Sequence, residues 1–137
     1  MLDGIFDRTS IPLLHRLLNL TAARERAIAS NVANVTTPGY RRKDVAFDEL
    51  LKEATDRGFL VGQKTDERHM DVGGARGQSE PVPIQEIPGG AVGVNGNNVN
   101  VETEMVELAK TQLTYMVSAQ LISNNFKALL ASIRGRT

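Results

Sequence analysis

The residues with the greatest potential for chemistry are the two histidines, His15 and His69. His69 lies among acidic residues, Asp66, Glu67 and Asp71, and such a group is conceivable as a metal site or a hydrolytic centre. The histidine-rich ligand spacing of a zinc site is missing, however. His15 lies beside leucines, where a packing or partly exposed role is the default. We therefore expect no metal site, and a hydrolase using His69 is the least favoured of three hypotheses.

Other motifs that bind ligands or catalyse reactions are absent from the sequence. It contains no Gly-x-Ser-x-Gly elbow, no Walker loop and no His-Glu-x-x-His motif. The glycines of residues 73–77 lack the strand–turn–helix setting of a phosphate loop. Residues 95–98 read Asn-Gly-Asn-Asn, but no acidic ligand follows until Glu102, so a turn and a helix cap explain them better than a calcium loop. Paired carboxylates are expected only on surfaces, and we predict neither an enzyme nor a cofactor.

Composition narrows the class of protein further. The 137 residues suffice for one domain, and 16 basic residues balance 16 acidic ones, which gives no broad attraction to nucleic acid or anionic membrane. There is no cysteine, which excludes disulfides and thiolate zinc sites. No run approaches the roughly 18 apolar residues of a membrane span, and the first residues do not resemble a cleavable signal. We expect a soluble chain without nucleic-acid partners.

The N-terminal segment predicts one amphipathic helix over residues 10–35. Ser10 suits the N-cap position, and Pro12 is tolerated in the first turn. Apolar or small residues with a 4-3 spacing, broken once by Glu25, form a stripe of Leu14, Leu18, Thr21, Ile28, Val32 and Val35. Additional leucines and alanines lie off this stripe, so the helix is apolar over more than one face. A single partner helix cannot cover such a surface.

Residues 31–40, Asn-Val-Ala-Asn-Val-Thr-Thr-Pro-Gly-Tyr, predict a helix stop. Asn31 and Asn34 share a face of the last turn, so their amides can reach backbone groups left without helical partners. Thr37 precedes a proline, which disfavours helical dihedral angles. Pro38 and Gly39 suit the two central positions of a type II turn. An ordinary helix end explains Pro38 and Gly39, but it does not explain the two asparagines or Tyr40.

The middle of the chain, residues 36–97, is expected to be a turn followed by an irregular, partly β extension. The basic run of residues 41–43 is more simply a solvated loop edge than a contact to a phosphate or acidic partner. Leu50, Leu51 and Ala54 suggest a short helix. Residues 58–97 hold nine of the twelve glycines and three of the five prolines, and Asn95-Gly96 is a hairpin signal. A mobile linker is the alternative for this part.

The C-terminal segment predicts a long helix over residues 98–135. Asn98 or Asn100 can cap it, and acidic residues at its start with basic residues at its end suit the helix dipole. An unbroken 4-3 spacing over more than four heptads indicates a coiled-coil stripe. The stripe consists of Val101, Met105, Leu108, Gln112, Tyr115, Ala119, Ile122, Phe126, Leu129 and Ile133. Gln112 either fixes the register or is a tolerated surface residue.

No charged residue occurs between residues 111 and 126, although a solvent-facing helix would normally carry charges. Uncharged polar side chains suit a face that meets other subunits or a narrow wet passage. Chance composition is the alternative interpretation.

Two segments resemble the paired signatures of the bacterial flagellar rod and hook proteins. The first is residues 31–40. The second is residues 96–115, Gly-Asn-Asn-Val-Asn-Val-Glu-Thr-Glu-Met-Val-Glu-Leu-Ala-Lys-Thr-Gln-Leu-Thr-Tyr. The short length and the ending Phe-Lys-Ala-Leu-Leu-Ala-Ser-Ile-Arg-Gly, residues 126–135, most resemble the proximal rod branch, with a sister proximal rod protein as the nearest alternative. The resemblance covers both helices, which are roughly half of the chain.

The resemblance implies a single rod-subunit domain over residues 1–137, in which the terminal helices pair. We expect a mainly α fold. Because the chain leaves at one end and returns there, its terminal helices should form an antiparallel coiled coil, with the longer second helix projecting beyond the first. The signature residues Asn31, Asn34, Thr37, Pro38, Gly39 and Tyr40 would shape the exit from the first helix and the subunit contacts. The implied partners are copies of itself, other rod proteins, a basal adaptor and the export gate. The implied location is the periplasmic rod, reached through the flagellar type III system. The rival of another class is a soluble coiled-coil adaptor or regulator.

Overall fold

A computed structural model describes residues 10–57, 81–88 and 96–135 of the chain. Within these ranges, three helices and two short strands follow one another in the order α1 (Ile11–Ala33), β1 (Lys43–Asp44), α2 (Phe47–Arg57), β2 (Gln85–Glu86) and α3 (Val101–Arg134). The expectation of a mainly α fold is confirmed. Most of the predicted glycine- and proline-rich extension, at residues 58–80 and 89–95, lies outside the described residues.

Helix α1 begins with Pro12 in its first turn, where the missing N–H removes no helical hydrogen bond. Ser10 occupies the N-cap position, but its side chain makes no capping bond. Its hydroxyl instead accepts a hydrogen bond from Asn125 Nδ2 at 3.0 Å. Ser10 thus occupies the predicted N-cap position, although its hydroxyl binds a distant asparagine and not the helix backbone.

The apolar core lies between α1 and the segment that follows it. Leu20 and Ala23 of α1 and Val45 are buried together, and four partly buried residues pack against them, namely Phe47, Leu50, Leu51 and Val82. Completely burying a leucine stabilises a fold by roughly 1.5–3 kcal/mol. Helix α2 thus covers one of the apolar faces of α1, and the short helix predicted around Leu50 is present.

Strands β1 and β2 form a two-residue antiparallel ladder, with Lys43 opposite Glu86 and Asp44 opposite Gln85. A pair this short is marginal by itself. Two hydrogen bonds extend it, one between backbone groups, from Ile87 N to Arg42 O at 2.9 Å, and one to a side chain, from Arg42 N to Asn98 Oδ1 at 2.7 Å. The hairpin predicted from Asn95-Gly96 falls partly outside the described residues, and β2 pairs with a strand much earlier in the chain.

Helix α3 begins at Asn100, whose side chain accepts hydrogen bonds from Glu102 N at 2.9 Å and Thr103 N at 3.4 Å. Of the two predicted caps, Asn100 is therefore the one used. The helix ends at Gly135, which has a left-handed φ of 62°. Contacts between the long helices join the first turn of α3 to the end of α1, through Glu104 and Asn31, and the second half of α3 to the start of α1.

The buried positions of α3 are offset from the predicted stripe. Glu104, Thr111 and Ser118, spaced seven residues apart, are buried. Four stripe residues are partly buried, namely Leu108, Ala119, Ile122 and Leu129, and six are exposed, namely Val101, Met105, Gln112, Tyr115, Phe126 and Ile133. Small hydroxyl residues suit a close helix contact because their hydroxyls can bond within their own helix, as Thr111 does to Glu107 O at 2.7 Å. The role of the stripe in holding the helices together stays a prediction.

Candidate functional site

The turn after α1 has the geometry expected from Pro38 and Gly39. Gly39 has a φ of 73°, and Tyr40 N donates to Thr37 O at 3.3 Å across the turn. A Cβ atom added at Gly39 would meet nothing within 4 Å. The position therefore requires glycine for its backbone conformation and not for lack of space. The predicted positive φ at Gly39 is confirmed.

The two asparagines of the first signature do different work. Asn34 Nδ2 donates to Ser30 O at 2.8 Å, and Asn34 Oδ1 accepts from the Thr37 hydroxyl at 3.3 Å, so this side chain satisfies a carbonyl of the helix end as expected. Asn31 is completely buried and instead holds the chain beyond the turn. Its amide accepts from Lys43 N and donates to Lys43 O, each at 2.8 Å. Asn31 thereby fixes β1 against the end of α1.

Tyr40 folds back onto α1. Its hydroxyl lies 2.9 Å from Ser30 Oγ and donates to Asn31 Oδ1 at 3.3 Å. The ammonium of Lys43 lies 5.6 Å from the centre of its ring, within the range of a cation–π contact. These contacts explain the tyrosine, because the aromatic residue closes the turn that proline and glycine begin.

A buried ion pair connects the turn to α3. Glu104 is completely buried, and its two carboxylate oxygens accept from Arg42 Nε and, at 2.9 Å, from Asn31 Nδ2. Burial lowers the pKa of Arg42, but the hydrogen bond and charge of Glu104, with those of Asp44, outweigh this effect and raise the pKa above its usual value. The expectation of a solvated loop edge is wrong at Arg42, whose guanidinium pairs with the buried carboxylate of Glu104.

A second set of charges surrounds this pair. Arg24 of α1 lies 3.4 Å from both Asp44 and Glu107, and its guanidinium lies 5.5 Å from the centre of the Phe47 ring. A hydrogen bond from Lys110 at 2.8 Å, followed by the charges of Lys110 and Arg24, holds the pKa of Glu107 below its usual value. Basic and acidic side chains thus alternate from α1 through β1 to α3.

Asn97 closes the turn from the other end of the chain. This buried residue donates from Nδ2 to the carbonyls of Asn34, Val35 and Thr37, at 3.0, 2.8 and 3.3 Å, while its Oδ1 accepts from Val99 N. The sequence suggested only a turn and a cap at residues 95–98, because the acceptors of Asn97 lie some sixty residues away. We call the cluster formed by residues 31–43, Asn97, Asn98 and Glu104 the polar corner.

The polar corner is suited to fixing backbone direction, since its side chains bind backbone groups and one another. Among the described residues, no group of three or more histidine or acidic side chains is arranged to hold a metal ion. His69 with its acidic neighbours and the glycines of residues 73–77 lie outside those ranges. His15 is exposed and lies 3.5 Å from the amide of Asn19. Within the ranges that the structure covers, no helix is long and apolar enough to cross a membrane.

Comparison with known proteins identifies relatives that share nearly the whole chain. No protein-family model matches it. A flagellar basal body rod protein FlgB from Bacillus subtilis is 32% identical over 126 residues, which are 92% of this chain and 94% of the relative. FlgB proteins from Cereibacter sphaeroides and Salmonella typhimurium are 30% and 27% identical, each covering 86% of this chain and 88% of the relative. Since the match spans both signature segments and the corner that they build together, the chain belongs to the FlgB family of flagellar basal body rod proteins.

Proposed function

We propose that this protein is a structural subunit of the proximal rod, which assembles with copies of itself and other rod proteins into a helical tube. The tube transmits torque and encloses the export channel. The observation that carries the proposal is the exposure of large apolar side chains along α3, which include Val106, Leu113, Met116, Val117 and Leu121. Contiguous exposed apolar surface of this kind marks an interface, and the uncharged run of residues 111–126 lies in the same helix.

The two long helices act in this proposal as an antiparallel coiled coil. Asn31 contacts Glu104 and Ser10 contacts Asn125, so 21 positions separate the contacts on both helices. This separation is three heptads, the interval at which residues return to the same face of a supercoiled helix. Arg24 and Glu107 meet between the two ends. The residues of α3 after Asn125 then extend past the first turn of α1.

The same proposal places the subunit in the periplasmic part of the basal body. Its neighbours are the other proximal rod proteins, the basal adaptor and the export gate, and it reaches them through the flagellar type III system. Its role is mechanical and not enzymatic. The polar corner sets the direction in which the chain leaves α1, and the residues after the turn contact neighbouring subunits.

Electron microscopy of isolated basal bodies carrying a labelled copy of this subunit tests the proposal. We expect label at the proximal end of the rod and a loss of rods when the gene is deleted. Rods of normal yield without this subunit would contradict it. The rival hypothesis of a soluble adaptor predicts a stable stoichiometric helical dimer at every concentration. Circular dichroism over a dilution series distinguishes that dimer from a subunit whose terminal helices order as it polymerises.

A further inference from the structure

The end of α1 is incomplete without the C-terminal half of the chain. The last carbonyls of a helix lack partners within the helix and need donors from elsewhere. Here the carbonyls of Asn34 and Thr37 accept from Thr37 N and Tyr40 N within the turn, and both accept again from Asn97 Nδ2. Asn97 also supplies a donor to Val35 O at 2.8 Å. The side-chain amide of Asn97 therefore donates hydrogen bonds to three carbonyls of the turn.

The backbone before Asn97 packs directly on the turn. Gly96 and Gly39 both have a left-handed φ, of 75° and 73°, and a Cβ atom at Gly96 would lie 3.7 Å from Gly39 Cα. The turns of the two signatures thus lie against each other by their backbones. This close approach places the amide of Asn97 over the carbonyls that it binds.

Further contacts continue along the segment of residues 96–104, which we call the closing segment. Asn98 Oδ1 accepts from Arg42 N at 2.7 Å, and Asn98 Nδ2 donates to Ile87 O at 3.3 Å. This side chain therefore connects the residue before β1 to the residue after β2. The carboxylate of Glu104 then accepts hydrogen bonds from the side chains of Asn31 and Arg42. The closing segment thus binds three carbonyls of the turn, the backbone N–H of Arg42 and the side chains of Asn31 and Arg42.

We infer that residues 31–43 keep their bent path only while the closing segment is docked against them. Asn97 is the residue that positions the closing segment on the turn. When the closing segment leaves, Val35 O loses the donor that Asn97 supplies, and Asn34 O and Thr37 O each lose one of two donors, so an undocked corner opens locally. The consequence of this docking for rod assembly rests on the proposed function. A subunit presents its extension in a fixed direction only after its C-terminal segment has arrived.

The substitution Asn97→Asp tests this inference with almost no change of shape. It keeps the acceptor for Val99 N but replaces the donor to three carbonyls by a carboxylate oxygen. Amide hydrogen exchange is measured by NMR on the full chain, at a concentration where circular dichroism reports both long helices. We expect the amides of Thr37 and Tyr40 to exchange at least about tenfold faster, while amides in the middle of α1, such as Ala23 and Ala27, keep their rates.

The matched control is Asn124→Asp, which adds the same charge at an exposed position of α3 whose side chain accepts from Gln120 through Oδ1. Equal exchange rates of the Thr37 and Tyr40 amides in the two variants overturn the inference. A uniform acceleration of amide exchange along α1 in Asn97→Asp also overturns it, because that result indicates global unfolding. If Asn97→Asp fails to fold, Asn97→Ala removes the donor without adding charge, and the same two outcomes apply. Incorporation of the wild-type chain into rods tests the proposed function separately, because the exchange measurement needs no assembly.

Discussion

Gly39 determines the path of the chain through its backbone alone. Its φ is 73°, yet a Cβ atom there would have open space around it. A side chain at this position therefore costs conformational energy without any steric clash with neighbours. Because a substitution at Gly39 changes the backbone energy without a steric clash, it tests whether rod assembly depends on the direction of the turn.

We predict that Gly39→Ala lowers the free energy of unfolding by about 1–2 kcal/mol, the cost of holding an L residue in the left-handed region. Gly39→Val, with a β-branched side chain, should prevent rod assembly. Urea unfolding and rod yield measure the two effects. Gly135→Ala is the control, because Gly135 also has a positive φ and open space but lies at the end of α3. Normal motility with Gly39→Val would contradict the role given to the turn.

Neighbouring arginines provide a second test at the scale of residues. Arg42→Ala leaves the buried carboxylate of Glu104 without its cation, and we expect the free energy of unfolding to fall by about 3 kcal/mol. Arg41→Ala, one residue earlier and exposed, should change it by less than about 0.5 kcal/mol. Urea unfolding, begun at a concentration where circular dichroism reports both long helices, measures both changes. Equal losses for the two variants would show that the ion pair does not stabilise the corner.

The contrast between these residues shows what the sequence could predict of the corner. The signals of Asn34, Pro38 and Gly39 are local, since each acts on backbone groups within a few residues. Asn97 and Glu104 act on groups some sixty or seventy residues away. Nothing near them distinguishes a turn asparagine or a first-turn glutamate from a buried partner. Their roles required the three-dimensional structure.

At the scale of elements, the periodicity of apolar residues predicted α1 and α3 but did not single out the buried positions of α3. Local capping and helical periodicity are strong signals over long segments. Apolar residues lie on several sides of α3, however, so their spacing could not distinguish the face toward α1 from faces toward other molecules. The buried positions are instead small or polar residues, such as Thr111 and Ser118, which a search for apolar stripes passes over.

The acid stability of the contact between α1 and α3 should depend on Glu107. Its pKa is lower in the folded chain than its ordinary value of 4.5, chiefly because Lys110 donates a hydrogen bond to it. The unfolded chain then binds the proton more readily, so Glu107 contributes stability above the ordinary pKa. That contribution is lost as the pH falls through the lowered pKa.

We therefore expect Glu107→Gln to flatten the decline in unfolding free energy between neutral pH and about pH 3. Lys110→Met should give most of the same flattening, since it removes the largest cause of the shift. Urea unfolding at several pH values measures the slopes. Profiles parallel to that of the wild type in both variants would contradict this account of the pair.

At the scale of the whole molecule, the single chain leaves much of α3 uncovered. Twelve large apolar side chains are exposed among the described residues, and eleven of them lie on α3. A helix with this surface requires neighbours that the single chain does not provide. Assembly thus buries apolar side chains of α3 that folding of the single chain leaves exposed.

We predict that Leu113→Glu abolishes or strongly reduces incorporation into rods, while the chain stays folded at a concentration where the wild type forms both long helices. Leu113 is 60% exposed, so the substitution should change the free energy of unfolding by less than about 0.5 kcal/mol. Leu113→Met keeps the apolar character and should be incorporated normally. Rod yield from basal-body preparations and urea unfolding measure the two properties. Normal incorporation of Leu113→Glu would exclude this face from the subunit contacts.

The equal separation of the two end contacts between α1 and α3 has a mechanical consequence. Helices that meet only through repeated apolar layers can slide by one heptad and restore most of their packing. Here such a shift would break the Ser10–Asn125 contact and take Glu104 away from both Asn31 and Arg42, leaving a carboxylate buried without partners. Shear along the helix axis therefore meets resistance at both ends at once. The pair has a single register in which it can bear load.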